Sequence, residues 1–147
     1  MNIIPAKIEH ASEVAKLFDL YRQFYDCEPD IELAEAYITQ RIEHQESQIF
    51  VAKDESTLVG FVQLYPTFCS VQATRIFVLY DLYVESTARN KGVGEQLMSE
   101  ATRYAKNSGA SRIDLRTAFS NHAGQHLYEK LGYQRVLEDF HTYSLLL

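Results

Sequence analysis

The fold is decided by residues 75–98, which read RIFVLYDLYVESTARNKGVGEQLM. The stretch begins with a β-rich apolar run that contains one carboxylate, Asp81. A short polar loop follows, and a helical pattern starts near Gly94, two residues after Gly92. Glycines at such a turn let several backbone N–H groups point to one spot, and the helix N-terminus adds a partial positive charge. The stretch therefore predicts an anion-binding turn between a strand and a helix.

Two basic side chains in this turn, Arg89 and Lys91, add full positive charges, so the segment has the chemistry of a pyrophosphate cradle. It is not a P-loop, because G-x-x-x-x-G-K-[ST] is absent. It is not a dinucleotide fingerprint either, because Leu97 stands where the third glycine would be. Taken alone, the pattern is explained equally well by a glycine turn that only connects a strand to a helix.

Hydrophobic periodicity predicts the elements on both sides of this unit. They are a strand at Ile3–Ile8, a helix capped by Ser12, a helix from Pro29-Asp30, a strand at Ile49–Ala52, a strand at Leu58–Tyr65 that Pro66 ends or bends, the long strand Arg75–Val84, a helix from Gly94 to Asn107, a strand through Ile113, Leu115 and Thr117, a helix capped by Asn121 and ending at Gly132, and final strands at Gln134–Leu137 and His141–Leu147. One strand–helix–strand unit predicts one parallel pair, and the hairpins predict antiparallel pairs. The expected fold class is α/β, with a mixed, mostly antiparallel sheet and four flanking helices in one domain over residues 1–147.

Composition narrows the classes of function. The chain has 147 residues, of which 46% are hydrophobic and 23% charged, as in a soluble globular domain. Its 14 basic and 20 acidic residues give a net charge of −6, which argues against a nucleic-acid partner. We see no signal peptide and no membrane helix, and we expect a cytoplasmic protein with reduced cysteines. His122 and His126 have metal-pair spacing without an evident third ligand, so we expect no metal.

Two spaced blocks carry a resemblance to a known family. The first, DLYVESTARNKGVGEQLM, resembles the acetyl-CoA-binding motif of the Gcn5-related N-acetyltransferase (GNAT) family, in which [RQ]-x-x-G-x-[GA] opens a helix. The second, SNHAGQHLYEKLGY, resembles the family block N-x-x-A-x-x-L-Y-x-K-x-G-[FY]. Gly124 departs from the usual alanine, and Glu95 from the usual polar or basic residue. The blocks span Ile76–Tyr133 and look closest to the small amine-acetylating members.

The resemblance implies that the acetyl group of acetyl-CoA moves to an amine by direct attack in a ternary complex. It implies that the long strand splays from its parallel neighbour and binds the pantetheine arm there. The residues that it assigns to acetyl-CoA are Leu82, Tyr83, Val84, Arg89, Asn90, Lys91, Gly92, Val93, Gly94, Glu95 and Asn121. The backbone amides of the strand would also hold the oxyanion of the tetrahedral intermediate.

Two proton transfers are needed, because an aliphatic amine with a pKa near 10.4 is protonated at neutral pH and the thiolate leaves without a proton. The resemblance assigns the general acid to Tyr128. Asp81 is a candidate base, since a carboxylate in an apolar strand is costly without a partner or a task. A hydrogen bond to the backbone or an ion pair with Arg75 or Arg116 would also explain it. Tyr80 and a water chain remain alternative bases.

An acidic run between positions 26 and 46 bears on the acceptor. A wall this acidic would attract a small cationic primary amine, although a solvated helix face explains it equally well. The acids are Asp26, Glu28, Asp30, Glu32, Glu35, Glu43 and Glu46, against one base, Arg41. The alternatives are an enzyme that acetylates protein lysines or N-termini, and a module that senses acyl-CoA without turnover. The apolar ending Tyr143–Leu147 suggests a homodimer, and we expect neither a nucleic acid nor a membrane as partner.

Overall fold

A computed structural model describes residues 1–136 and 139–147 of the chain. The chain divides into two units, Met1–Arg116 and Thr117–Leu147. Within the described residues, the first unit carries strands β1 Asn2–Pro5, β2 Gln48–Asp54, β3 Thr57–Cys69, β4 Thr74–Val84 and β5 Ile113–Leu115, and helices α1 Ala11–Phe24, α2 Ile31–Glu43 and α3 Val93–Asn107. The second unit carries helix α4, His122–Lys130. Short 3-10 turns lie at Ile8–His10 and Ser86–Ala88.

The five strands form one sheet in the order β1-β2-β3-β4-β5. The β4–β5 pair is parallel and every other pair is antiparallel. Helix α3 connects the two parallel strands, as the strand–helix–strand pattern predicts. The predicted fold class, a mixed and mostly antiparallel sheet with one parallel pair and four helices, is therefore confirmed.

Each face of the sheet packs against its own helices. Helices α1 and α2 place Phe18 and Ile38 against Val51 and Phe61 in one buried cluster. On the opposite face, the ring of Tyr104 in α3 lies 5.6 Å from the rings of both Phe50 and Phe77. Successive residues of β2, such as Phe50 and Val51, therefore pack on opposite faces of the sheet, because successive side chains of a strand point to opposite sides.

A β-bulge in β4 changes the face of the sheet to which the side chains after the bulge point. Gln63 pairs with Asp81 and Leu64 with Leu79, so Tyr80 is an extra residue without a partner on β3. In a regular strand, residues four apart share a face. Phe77 contacts α3, yet the carboxyl of Asp81 interacts with Tyr21 of α1. The bulge thus turns Asp81 to the face covered by α1 and α2.

The parallel pair is short. Phe77–Leu79 pair with Ile113–Leu115, and β4 then runs on to Val84 with β3 as its only ladder partner among the residues that the structure describes. Within the described residues, the ladder of the sheet is consequently open on the β5 side of β4 beyond Leu79.

Three predicted element boundaries were wrong. The first strand ends at Pro5, and Ile8, its predicted end, lies in the 3-10 turn. Ser12 does not cap α1, because the 3-10 turn leads directly into Ala11 and leaves His10 at the N-cap position. Pro66 does not end β3, which continues to Cys69. Leu64 is the last residue of β3 that pairs with β2, so Pro66 lies where β3 is an edge strand and a missing N–H costs little. The predicted start of α2 is confirmed, because the Asp30 side chain accepts from the Leu33 N–H at 3.1 Å.

The predicted final strands are also wrong for the part that the structure describes. Residues 134–136 and 139–147 contain no strand, and Leu137 of the first predicted strand lies outside the described residues. Thr117, predicted in the strand before α4, follows the end of β5. Alternating apolar residues mark a segment that is able to form a strand, but a strand also needs a ladder partner.

Candidate active site

The open edge of β4 presents backbone groups at two residues. The Glu85 N–H donates to the Val59 carbonyl oxygen at 2.9 Å, which fixes the phase of the β3–β4 ladder. Because backbone groups alternate between the two sides of a strand, Tyr83 turns its own groups to β3, while Leu82 and Val84 turn theirs to the open side. All three predicted residues, Leu82, Tyr83 and Val84, are half-buried. An extended ligand could add to this edge by hydrogen bonds to Leu82 and Val84.

The turn after β4 has the backbone that an anion site requires. Asn90 has φ 60° and Gly92 has φ 78°, so both lie in the left-handed region. Gly92 is the N-cap of α3, and the Gln96 N–H donates to its carbonyl oxygen at 3.1 Å. The N–H groups that precede that of Gln96 in the first turn have no acceptor within the helix. They point along its axis, as at every helix N-terminus. Buried Val93 anchors the turn in the core.

The two basic side chains of the turn bind carbonyl oxygens of the segment that precedes it. Arg89 donates from Nε to the Val84 carbonyl oxygen at 2.9 Å, and its guanidinium carbon lies 5.5 Å from the centre of the Tyr83 ring. Lys91 donates from Nζ to the Thr87 carbonyl oxygen at 3.0 Å. Glu95 lies in the first turn of α3, where a carboxylate suits the helix dipole. An open groove along α3 is lined in part by Gly92 and Glu95.

Asp81 is a buried carboxylate, 5% exposed, next to the open edge. The Gln63 side-chain amide donates to its Oδ2. Burial raises the pKa of Asp81 to about 6, although hydrogen bonds with Gln63 and Tyr21 act in the opposite direction. Arg75, the partner that the sequence left open, lies instead over the ring of Phe68. A carboxylate with a pKa near 6 is largely ionised at neutral pH and is still basic enough to accept a proton.

Tyrosines surround this carboxylate. The Tyr21 hydroxyl donates to the Tyr80 carbonyl oxygen at 2.7 Å, and the Tyr37 and Tyr65 hydroxyl oxygens lie 2.5 Å apart. Burial, the Tyr37 hydroxyl and the charge of Asp81 raise the pKa of Tyr65. Tyr80, the alternative base, is 61% exposed, and its ring centre lies 5.6 Å from that of Tyr65.

Sequence reasoning missed Gln63, Tyr21 and Ser47, whose hydroxyl donates to Gln63 Oε1 at 2.6 Å. The signal for Gln63 was a single amide inside an apolar strand, and the signal for Tyr21 was its place on the inward stripe of α1. Ser47 gave no signal, because a serine before a strand is common in loops.

The second unit carries the two other predicted residues, Asn121 and Tyr128. Asn121 caps α4: its Oδ1 accepts from the Gly124 N–H at 3.1 Å, and its Nδ2 donates to Thr117 Oγ1 at 3.0 Å. A Cβ atom at Gly124 would lie 2.5 Å from Asn121 Nδ2, so an alanine at this position would require the Asn121 side chain to shift. Tyr128 is half-buried in α4, with its ring centre 6.0 Å from that of Tyr133. A bond from Asn121 to the pantetheine arm stays a prediction.

No group of three or more His, Cys, Asp or Glu side chains within residues 1–136 and 139–147 could hold a metal ion. No helix in the same residues is long and apolar enough to span a membrane.

Comparisons with known proteins agree with the fold and with the motifs. The profile of the acetyltransferase (GNAT) family matches residues 14–133. The chain is 44% identical over 134 residues to an uncharacterized N-acetyltransferase, YhfO of Bacillus subtilis (strain 168), covering 91% of this chain and 90% of that protein. The crystal structure of a probable acetyltransferase matches with a TM-score of 0.90 and 35% identity, over 100% of this chain and 98% of that one. An aminoglycoside N-acetyltransferase solved in complex with CoA shares the fold, with a TM-score of 0.84 at 16% identity over 97% and 93% of the two chains.

The fold and these relatives define an enzyme of the N-acetyltransferase class. Specifically, the chain belongs to the acetyltransferase (GNAT) family. Enzymes of this family take the acetyl group from acetyl-CoA.

Proposed function

We propose that this N-acetyltransferase moves the acetyl group of acetyl-CoA to a small, cationic primary amine by direct attack in a ternary complex. The observation that carries the proposal is the position of Asp81. A buried carboxylate with a pKa of about 6 stands one residue before the open backbone edge of β4. A proton acceptor and an oxyanion donor set therefore lie on the same strand.

Acetyl-CoA would bind along the open edge and the turn. The backbone groups of Leu82 and Val84 suit the amides of a pantetheine arm, and a backbone N–H on this edge would polarise the thioester carbonyl. The pyrophosphate would lie on the N–H groups of residues 90–95, where the α3 dipole, Arg89 and Lys91 all favour an anion. Tyr83 would contribute its ring beside Arg89, since its backbone groups turn to β3.

The proton transfers divide between two side chains in this proposal. Asp81 accepts the proton that the ammonium group must lose before the nitrogen lone pair attacks the thioester carbon. The nitrogen of the tetrahedral intermediate carries one proton more than the amide product, and it releases that proton to solvent. The C–S bond then breaks, and Tyr128 donates its hydroxyl proton to the sulfur of CoA. The amide product and free CoA leave, and solvent restores the two protonation states.

Charge supports a cationic acceptor. The net charge is −6, and all seven acids of the run between positions 26 and 46 are exposed. Glu32 and Glu35 line an open groove on α2, while Ala34 and Ile38 of the same helix are buried. These acids therefore act through their field on an approaching cation rather than by lining the space around Asp81.

We also propose a cytoplasmic homodimer. Its support is the exposed apolar ending, in which Tyr143, Leu145, Leu146 and Leu147 are each more than four-fifths exposed. Contiguous apolar surface of this kind is typical of an interface between chains.

An amine panel with acetyl-CoA tests the proposal, with free thiol as the readout. The panel contains a polyamine, a basic amino acid, a neutral amine, an acidic amino acid and a lysine peptide. We expect turnover with the small cations and a large loss of kcat/KM in Asp81→Asn. Asp54→Asn, an exposed carboxylate on β2, should retain activity. Tight binding of acetyl-CoA without turnover of any amine would instead identify a sensor, and a preference for the peptide would identify a protein acetyltransferase.

A further inference from the structure

We propose that Gln63 and Ser47 are positioning residues for Asp81: a row of three side chains, from the residue before β2 through β3 to β4, holds the carboxylate as a proton acceptor. The inference rests on the proposed role of Asp81 as the base and adds the residues that orient it.

The row is continuous. Ser47, just before β2, donates from Oγ to Gln63 Oε1 at 2.6 Å. Gln63 in turn donates from Nε2 to Asp81 Oδ2. Gln63 is 0% exposed and Ser47 is half-buried, so the row passes from the edge of the core to the buried carboxylate.

The direction of the amide is set by Asp81 and matched by Ser47. A side-chain amide has one acceptor end and one donor end, and an ionised carboxylate can only accept, so the nitrogen of Gln63 faces Asp81. The Ser47 hydroxyl donates to the oxygen at the other end of the amide, so both ends of Gln63 are bonded in this orientation. The flipped amide would bring two oxygens together, at a cost in electrostatic energy.

A donor at Oδ2 favours the charged form of Asp81. Without this bond, burial alone would raise the pKa of Asp81 further and leave less carboxylate at neutral pH. The bond also fixes the plane of the carboxylate, so that Oδ1 has a defined direction. The other titratable groups on this face are Tyr21 from α1, Tyr37 and Arg41 from α2, Tyr65 from β3, and Tyr80 and Tyr83 from β4 itself.

Folding alone gives no reason for an amide at this position. The neighbours of Gln63 along β3 are Phe61, Val62 and Leu64, which are all buried. A buried amide is costly unless both of its ends are bonded, and an apolar residue of similar size would pack without that cost. The polar side chain therefore fits a role toward Asp81.

The test compares Gln63→Met and Ser47→Ala with wild type and with Gln48→Met, a matched loss of an amide on β2. Carboxyl-carbon NMR follows the titration of Asp81, which is assigned by its absence in Asp81→Asn. The pH profile of kcat/KM is recorded with acetyl-CoA and the best amine of the panel. We expect Gln63→Met to move the NMR pKa and the acidic limb of the profile together to higher pH, by about one pH unit. Ser47→Ala should move both by less, and Gln48→Met should move neither.

An acidic limb that stays at the wild-type pH in a folded Gln63→Met protein would overturn the inference. If Gln63→Met does not fold, the test uses Ser47→Ala instead. An acidic limb that stays at the wild-type pH in Ser47→Ala would then overturn the inference. Failure of the proposed function looks different: Asp81→Asn would then keep its full kcat/KM and its acidic limb. The acidic limb could instead disappear in Asp81→Asn and stay at the wild-type pH in both positioning variants. That result would reject the positioning roles of Gln63 and Ser47 and leave Asp81 as the base.

Discussion

Arg89 donates from Nε to the backbone carbonyl oxygen of Val84 at 2.9 Å, which ties the cation of the turn to the end of β4. The same bond occupies the Val84 carbonyl oxygen on the open side of the strand. The N–H of Val84 points to that side as well, so this end of β4 presents a donor and a positive charge. An edge with this polarity suits an anionic or carbonyl-bearing ligand.

The turn can be tested with a matched pair of glycines. Gly92 and Gly109 stand at the two ends of α3, both have φ 78°, and an added Cβ would meet no atom within 4 Å at either site. Gly92→Ala and Gly109→Ala should each lose about 1–2 kcal/mol of stability from the left-handed backbone. Only Gly92→Ala should weaken acetyl-CoA binding, by tenfold or more in calorimetric titration. Equal acetyl-CoA affinity in the two variants would reject the pyrophosphate site.

Tyr128→Phe keeps the ring and removes the proton that the thiolate is proposed to take. We expect kcat to fall about 100-fold or more, with little change in acetyl-CoA affinity. Tyr133→Phe is the control, because its ring is the neighbour of Tyr128 in the same unit. Steady-state kinetics with thiol detection separates the two variants. A Tyr128→Phe enzyme with normal kcat would mean that water protonates the sulfur.

The ionised carboxylate of Asp81 should lower the free energy of unfolding at neutral pH, where it is proposed to act as the base. Its pKa rises from 3.8 to about 6 on folding, so stability is lost as pH increases through this window, because the unfolded chain releases the proton first. Urea unfolding at pH 4 and pH 7.5 should therefore show Asp81→Asn gaining on wild type with rising pH, by up to roughly 3 kcal/mol. The exposed control Asp54→Asn should keep a constant difference. A constant difference for Asp81→Asn would contradict the raised pKa.

Steering by the acidic run should depend on salt. Exposed charges are screened beyond about 8–10 Å at ordinary ionic strength, so KM for a polyamine should rise with salt while KM for a neutral amine stays level. Glu32→Lys combined with Glu35→Lys should raise KM for the cation and flatten its salt dependence. Glu9→Lys combined with Glu55→Lys makes the same change in net charge outside the run and should have a smaller effect. Identical salt curves for both amines in wild type would reduce the run to a solvated surface.

Local sequence patterns were sufficient to predict most of the fold. The long strand, the glycine turn and α3 were predictable because strand periodicity, turn chemistry and helix spacing agree within one short segment. The Asp30 and Asn121 caps were predictable for the same reason, since a cap is decided within four residues.

The rest depends on contacts that are distant along the chain. Whether β3 can continue through Pro66 is decided by where its pairing with β2 ends, and β2 is a separate segment of the sequence. The partners of Asp81 come from Gln63 and Tyr21, which are 18 and 60 positions away. The same dependence explains the final strands, because alternation predicts a strand only if a partner strand is available.

The bulge at Tyr80 makes this site sensitive to the number of residues in the strands as well as to their identity. Insertion of one residue into β3 between Gln63 and Leu64 would give Tyr80 a partner and let β3 and β4 pair without interruption. In the regular strand, Asp81 and Tyr83 would share the face of Phe77, under α3 and away from Tyr21. Every side chain proposed for the chemistry would then still be present in a chain one residue longer, yet the base would face the wrong side of the sheet.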